Sequence, residues 1–376
     1  VIYGDIFLCG LMEDAAMQAA VLGIDAAGEA ASLAGFDVVC AAESPFGQLV
    51  EHSERRAHGV ILRGLSENAR QRLEFAARVF EAQAQAIVTS DQNLIHFSAP
   101  LLQQTPFERV TLQGEAPKIA VQAIRELMRY FGSKVFSESD LRRRYPLMKA
   151  RAASALRAQS ARPNSFSTPR SRSDITVIDQ RLPYSNFFAV EEDDLRFKTY
   201  SGTQSAVITR AGFMQCDAVT VLPYDPVRDC VLLVEQFRFG PYIRGDANPW
   251  SLEPIAGRVD PDEGPEAAAH REAIEEAHLT LKSLHKIAQY YPSPGAVSEY
   301  LYSYVALADL PDDIEGVAGL DIEDEDIRSI RVPFGALMAA IETGEINNGP
   351  LILSAQWLAA NRTHLQSLQT SPERAD

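Results

Sequence analysis

Between Leu141 and Ser173 the sequence LRRRYPLMKARAASALRAQSARPNSFSTPRSRS carries nine Lys/Arg and no acid, and this break in composition divides the chain. Its second part, Arg162 to Ser173, is rich in Pro, Ser and Asn and reads as a tether. Its first part, Leu141 to Gln159, predicts a helix with a basic face. The plain reading of the run is a solvated linker; the others are a docking site for nucleic acid and local attraction to an acidic neighbouring domain. A length of 376 residues also exceeds the roughly 100 to 200 of a usual domain. The expected division is a first domain over 1–136, a basic helix and linker over 137–173, a second domain over 174–368 and a tail over 369–376.

Apolar residues at 46% and charged residues at 23% are globular values, far from the composition of disordered chains. The 35 Lys+Arg against 51 Asp+Glu leave a net charge of -16, which repels phosphate backbones and argues against nucleic acid or an anionic membrane as partner. Cys9, Cys40, Cys216 and Cys230 are scattered without a C-x-x-C pair, as in a reduced, cytoplasmic protein. No apolar run approaches the roughly 20 residues that span a bilayer, and the residues from Val1 show no basic-then-apolar secretory pattern.

The first part alternates short strand candidates (Asp5 to Leu8, Phe36 to Cys40, His58 to Leu62, Gln85 to Thr89) with helical runs at Ser66 to Phe80 and Lys118 to Phe131, an α+β pattern. Beyond the junction, strands are expected at Ile175 to Gln180, Phe187 to Glu192, Ser205 to Ala211, Ala218 to Pro223 and Cys230 to Gln236. A helix then starts at Pro265, with Glu266 in its first turn, and runs to about Ala277. Strands resume at Leu284 to Tyr291 and Tyr300 to Ala308, and helices at Phe334 to Thr343 and Pro350 to Asn361 complete a sandwich of helices on a mixed sheet.

The densest chemical signal lies between Gly257 and Leu279. Glu272, Glu275 and Glu276 stand at i, i+3 and i+4, so a helix sets them on one face within about 5 to 6 Å of each other. Like charges that close repel. A hard divalent cation such as Mg²⁺, which takes oxygen ligands, resolves the conflict; a solvated acidic face is the alternative for an isolated stretch of this kind. The flanking residues extend the pattern. Gly257, Glu263, Arg271, Glu272, Glu275, Glu276 and Leu279 fall at the spacing G-x5-E-x7-R-E-U-x-E-E-x-G-U, with U apolar, and this resembles the Nudix box, the loop-helix-loop of hydrolases acting on nucleoside diphosphates linked to another group. His278 stands where that family has Gly.

Segments outside the box resemble the ADP-ribose pyrophosphatase group of that family. They are Pro294, fifteen positions beyond Leu279, Leu222 to Asp229, Val234 to Arg238, Trp250 to Gly257, Gly319 to Ile327, Gly344 to Asn348 and Ala355 to Leu358. The resemblance covers roughly Asp174 to Leu365 and implies an α/β/α sandwich with a mixed sheet. It further implies Mg²⁺, or Mn²⁺ in its place, held by Glu272, Glu276, Glu325 and the main-chain carbonyl of Ala256. Glu275 would be a supporting carboxylate and Glu323 the base that activates water. Phe187 and Phe188 match positions that stack adenine, with core packing the plainer reading for Phe188. Arg238 matches the cation for the diphosphate, its planar fork suiting phosphate oxygens. Arg210, Arg258, Ser293, Gly295 and Glu299 match positions lining the substrate pocket. The implied reaction is hydrolysis of ADP-ribose to AMP and ribose 5-phosphate by a homodimer; the alternatives are a hydrolase of another nucleoside diphosphate sugar and a noncatalytic ADP-ribose sensor.

In the first half, Ile6-Phe-Leu-Cys-Gly-Leu-Met12 resembles the opening strand and loop of the γ-glutamylcyclotransferase-like fold, an α+β barrel, over about Tyr3 to Asp91. Where that family places its catalytic Glu this sequence has Ala76-Ala77, which implies a noncatalytic scaffold, dimerisation or ligand module; Glu81 is the substitute if the alignment slips. The combination resembles bacterial proteins named for tellurite resistance, a name that records a phenotype and no reaction.

Overall fold

A computed structural model describes residues 4–24, 28–40, 44–89, 92–100, 114–160, 163, 165–186, 188–319 and 326–370. The chain separates into two compact units, Val1–Ala161 and Arg162–Asp376.

The first unit runs β1 (Asp5–Leu8), α1 (Ala15–Leu22), β2 (Glu29–Cys40), β3 (Gly47–Leu62), α2 (Glu67–Val79), β4 (Gln83–Val88), β5 (Asn93–Ser98), α3 (Ala116–Leu127) and α4 (Glu138–Arg157). Its sheet has the order β2-β3-β1-β5-β4, parallel only between β1 and β5, and among the described residues it ends in two edges, β2 and β4. Helix α2 forms where expected because Ala69, Leu73, Ala76 and Ala77 fall on one helical stripe and are buried, while the Ser66 side chain accepts from the Ala69 amide at 3.2 Å and closes its first turn. The β2–β3 hairpin is far longer than the apolar runs suggested, because residues 51–56 of β3 are exposed and carry no hydrophobic alternation.

The basic run enters the fold of this unit. Ser137 and Asp140 form a capping box that starts α4. Arg142 pairs with Glu81, Arg144 lies 4.3 Å from the Phe136 ring centroid, and buried Arg151 pairs with Glu126 at 2.5 Å. Local acids therefore neutralise much of a helix whose own sequence from Leu141 onward supplies none.

The second unit begins with a separate antiparallel sheet of β6 (Ile175–Ser185), β7 (Ala189–Phe197) and β8 (Ile208–Met214). It continues through β9 (Ala218–Asp225), β10 (Cys230–Phe237), α5 (Phe239–Arg244), β11 (Trp250–Glu253), β12 (Ile255–Arg258), α6 (Pro265–Ala277), β13 (Ser283–Tyr290), β14 (Leu301–Leu307), β15 (Gly316–Ala318), β16 (Ile327–Pro333), α7 (Phe334–Thr343) and α8 (Gly349–Thr370). The main sheet has the order β13-β14-β9-β10-β16-β15, with β11 on β10 and β12 on β9. It is mixed, since β14 and β9 are parallel. Every residue of β9 is buried, as expected of a strand covered on both faces. One face packs Val219, Val221, Leu232 and Val234 against Ala268, Ala269 and Ala273 of α6. The other packs Leu222, Tyr224, Val231 and Leu233 against Leu337 of α7 and Leu351, Ala355 and Leu358 of α8. The expected helix-sheet-helix sandwich is what forms.

Candidate active site

Helix α6 has the bounds predicted from its sequence. Gly264 precedes it, Pro265 occupies its first turn with no donor to lose, and Glu266 faces the positive helix end. The residues it buries are Ala268, Ala269, Glu272, Ala273, Glu276 and Ala277. Small alanines bring the helix backbone close to the sheet, and the two glutamates buried among them, Glu272 at 9% and Glu276 at 2% exposure, are thereby carried onto β12.

Both carboxylates meet consecutive residues of that strand. Glu276 Oε2 accepts from the Ala256 amide at 3.1 Å. Glu272 lies so close over Gly257 that a Cβ built there would stand 1.9 Å from both its Cδ and Oε1; only glycine leaves that space. Ladder alternation fixes the Ala256 carbonyl. Val259 donates to Asp217 at 3.0 Å in the register that pairs Ala256 with Thr220. Ala256, three residues earlier, therefore sits in a non-hydrogen-bonded pair, with its N–H and C=O turned away from β9. Two carboxylates and one carbonyl unused by the β9 ladder form an all-oxygen donor set, the chemistry that suits Mg²⁺.

The crowding of Glu272, Glu275 and Glu276 is relieved differently from the sequence expectation. Arg271 Nη1 donates to Glu272 Oε1 at 2.8 Å and to Glu275 Oε2 at 2.7 Å. Its Nη2 donates to Glu263 Oε1 at 2.7 Å and to the Arg258 carbonyl at 2.9 Å, and its Nε faces Glu263 at 3.3 Å. All five guanidinium hydrogens are engaged. Burial works against the Arg271 charge, but the bonds to Glu263 and the charges around it outweigh burial and hold its pKa above the ordinary value. The need for a cation is thus met in part by the protein, and Glu275 belongs to Arg271 rather than to β12. Among the described residues no three His, Cys, Asp or Glu side chains converge as a metal cage. Glu323 and Glu325 lie outside the described residues, as does Phe187.

His278 takes the left-handed conformation, φ 50, at the end of α6. It donates to the Ile274 carbonyl at 3.0 Å, and Leu279 donates to Ala273 at 2.9 Å. The loop keeps the closure that glycine would give, at a steric cost of about 1 kcal/mol or somewhat more.

The remaining candidates fall into two groups. Arg238 is clamped by Glu253, Nε to both carboxylate oxygens at 3.1 Å and Nη2 to Oε2 at 2.6 Å. Glu299 is close enough for the Arg238 charge to act on it, although burial dominates and raises its carboxyl pKa; burial, with Glu299 adding to it, also raises the Tyr290 hydroxyl. Arg258 ends β12 and is exposed, its carbonyl bound by Arg271. Arg210 and Gly295 line a cavity of about 320 Å³ together with Asp193, Gly212 and Phe213. Ser293 is exposed, and its carbonyl accepts from Ala296 and Val297 at 3.1 and 2.9 Å in the turn that carries Gly295. Phe188 packs edge-on against Phe213 at 4.9 Å, so its ring backs the cavity wall. Sequence reasoning missed Glu253, Asp193 and Phe213. Their partners are set by strand register, for which the sequence offers no local signal.

Known proteins match the part of the chain that carries this site. A family model described as NUDIX domain matches residues 214–353. The ADP-ribose pyrophosphatase of Haemophilus influenzae is 34% identical over 198 residues, covering 52% of this chain and 91% of that protein. The ADP-ribose pyrophosphatase of Escherichia coli is 33% identical over 208 residues, 55% of this chain and 97% of that protein. The GDP-mannose pyrophosphatase of Citrobacter koseri is 33% identical over 188 residues, 49% of this chain and 94% of that protein.

Proposed function

The chain belongs to the Nudix family, and we propose that it is an ADP-ribose diphosphatase that hydrolyses ADP-ribose to AMP and ribose 5-phosphate. The observation that carries the reading is the seating of Glu272 and Glu276 on Gly257 and Ala256, beside a carbonyl turned away from its strand partner. Glu272, Glu276, the Ala256 carbonyl and Glu325 are the proposed ligands of Mg²⁺, with Mn²⁺ as the alternative ion. Bound there, the ion would neutralise diphosphate charge and lower the pKa of the attacking water. Glu323 is the proposed acceptor of that water's proton. Glu275 and Glu263 hold Arg271, which in turn steadies Glu272. Arg238, oriented by Glu253, offers its planar fork to the diphosphate. Phe187, Phe188, Arg210, Arg258, Ser293, Gly295 and Glu299 are the proposed substrate contacts.

The GDP-mannose pyrophosphatase relative supports a second reading, a hydrolase of another nucleoside diphosphate sugar, since the same metal chemistry serves any such diphosphate. Incubation with Mg²⁺ and ADP-ribose, other ADP-sugars, GDP-mannose or NADH decides between them. AMP release fastest from ADP-ribose is expected. Faster cleavage of another substrate shifts the assignment, and tight binding of ADP-ribose without products makes the chain a sensor.

A homodimer is supported by Ile175, Val177, Ile178, Tyr184, Val207 and Phe213 of the three-stranded sheet and its flank, all 42% exposed or more. For the first unit we propose a noncatalytic scaffold of γ-glutamylcyclotransferase-like descent. Ala76 and Ala77 are buried at 0% and 2% exposure, leaving no acid at the expected position, and Glu81 is committed to Arg142. The buried thiols Cys9, Cys216 and Cys230 fit a reducing, cytoplasmic setting.

A further inference from the structure

Among the described residues the sheet of the first unit ends in β2 and β4, and the two edges are built differently. Along β2 the ladder to β3 shifts register between Ala34 and Phe36, and the strand carries Glu29 and Asp37, paired with Arg63 and Arg55. A bulge and charged side chains are the usual means by which an edge is kept from pairing with another chain. Strand β4 has neither. From Ala82 to Thr89 the sequence AQAQAIVT contains no charge, no Pro and no Gly. Its ladder to β5 is regular from Gln83 to Val88, and all its residues but Ile87 are exposed.

The register decides which backbone groups of β4 face outward. Thr89 donates to the Gln92 carbonyl at 2.9 Å, so these two form a hydrogen-bonded pair. The alternation of an antiparallel ladder then makes Ile87, Gln85 and Gln83 the residues bonded to β5. Ala84, Ala86 and Val88 turn their N–H and C=O the other way, toward the open side of the sheet. A row of donors and acceptors at alternate residues is a template for one more extended strand. Two of the three outward residues carry only a methyl, which lets another backbone approach, and Val88 is 78% exposed.

We propose that β4 is a self-association edge, at which the first units of two copies of this chain join their sheets antiparallel across a two-fold axis. The register that engages every outward residue centres the axis on Ala86. Ala86 then meets the partner's Ala86 and Ala84 meets the partner's Val88, with two hydrogen bonds exchanged at each pair. Gln85 lies opposite the partner's Ile87, and no charge opposes a like charge. A second copy is the occupant this edge selects. Edges that capture a foreign peptide hold its side chains in pockets beside the strand. Gln83 to Ala86 are exposed on both faces, so among the described residues nothing stands over the edge to read a foreign sequence. Six residues at about 3.4 Å each give a contact about 20 Å long. That is a narrow strip against the roughly 800 Å² per partner of a stable interface, so the pairing is reversible and its occupancy follows protein concentration. It is separate from the homodimer proposed through the second unit.

The test follows amide hydrogen exchange, residue by residue from Ala82 to Thr89, in the full chain at two protein concentrations about a hundredfold apart. Three variants accompany it. Ala86→Lys sets like charges against each other at the axis. Ala86→Pro removes the outward N–H without breaking a bond to β5. Ala86→Gln keeps the N–H and stays neutral. In the unaltered chain and in Ala86→Gln, protection at Ala84 and Val88 should rise by about tenfold or more between the two concentrations, while Gln85 and Ile87, already bonded to β5, change little. In Ala86→Lys and Ala86→Pro the rise should disappear, and sedimentation equilibrium should show self-association weakened by about tenfold or more, with thermal unfolding little changed. Outward amides that exchange at the unprotected rate at both concentrations overturn the proposal. Protection equal at both concentrations overturns it too, because the chain itself then covers the edge. A rise that both Ala86→Lys and Ala86→Pro retain places the association elsewhere and overturns it as well.

Discussion

Gly257→Ala separates holding the fold from holding the ligands. Carbon atoms in contact sit about 3.5 Å apart, and the new methyl would stand 1.9 Å from the Glu272 carboxyl carbon, so the carboxylate must retreat by about 1.6 Å. The obstacle is the far end of a side chain and not backbone, so β12 and α6 can remain in place, at a stability cost toward the low end of the roughly 1 to 3 kcal/mol usual for overpacking. The catalytic cost is larger. A displacement of about 1 Å in a positioning group can cost about a hundredfold in rate, equivalent to roughly 2.7 kcal/mol at about 1.36 kcal/mol per decade. Retreat also pulls Glu272 Oε1 from Arg271 Nη1, now 2.8 Å away. The expected result is a folded variant with a small drop in melting temperature, weakened Mg²⁺ uptake by calorimetry, and AMP release from ADP-ribose slowed by about a hundredfold or more. Unaltered kcat and Mg²⁺ affinity would refute the placement of Glu272 in the ligand set. An unfolded variant would refute the view that the contact is a matter of side-chain position alone.

Three further outcomes are expected. Glu276→Gln keeps an acceptor for the Ala256 amide, now bonded at 3.1 Å, so melting should hold while AMP release falls by about a hundredfold or more, with excess Mg²⁺ restoring little; near-normal turnover would remove Glu276 from the site. Arg271→Met leaves Glu263, Glu272 and Glu275 without their shared cation. It should destabilise the second unit by about 2 to 3 kcal/mol, reduced from the buried-pair range because the pair is partly solvated. Added Mg²⁺ should then raise the melting temperature of the variant more than that of the unaltered chain, and a variant of ordinary stability would show the web to be dispensable. His96 is 1% exposed and has Nδ1 3.2 Å from the Phe7 carbonyl. Burial lowers its pKa below the ordinary 6.5, against the raising effect of its backbone bonds. Because the folded value is depressed, its contribution is present above about pH 6.5 and is lost as pH falls toward the folded value. Hydrogen-exchange protection at β1, corrected for the intrinsic pH dependence of amide exchange, should fall over that window and should lose this fall in His96→Gln; corrected protection that is constant there would contradict it.

What the sequence disclosed depended on range. Helix α6 was legible to the residue, since proline, the first-turn acid and the alanine stripe are local signals. The helices expected at Phe334 to Thr343 and Ser66 to Phe80 form as Phe334–Thr343 and Glu67–Val79. The hairpin of β2 and β3 was not legible, because its outer half is exposed and polar, and β11, β12 and β16 are too short or too mixed to stand out by alternation. At the site, the spacing of Glu272, Glu275 and Glu276 gave a shared helical face but not the partner of each. Glu276 finds a strand amide 20 residues away in sequence, and Arg238 finds Glu253 across a strand pair. Such contacts are decided by register and by the approach of helix to sheet, which local periodicity does not encode.

The part played by Arg271 alters the electrostatic argument for the acidic face. Three glutamates, Glu263, Glu272 and Glu275, bond to one guanidinium, so the bonded group carries a formal charge of −2. The remaining negative charge still attracts a divalent ion, but Arg271 already offsets much of the repulsion among the carboxylates. The two carboxylates proposed as ligands are also held by separate means, Glu272 by Arg271 and the space over Gly257, Glu276 by the Ala256 amide. Side chains already fixed lose little rotamer entropy when a cation arrives, so affinity need not be spent on ordering them. The consequence is that activity should be as sensitive to the holders as to the ligands. Gly257 and Arg271 contribute no atom to the proposed ligand set, yet each sets where a proposed ligand carboxylate rests, which is where substitutions should reduce turnover without removing any oxygen of that set.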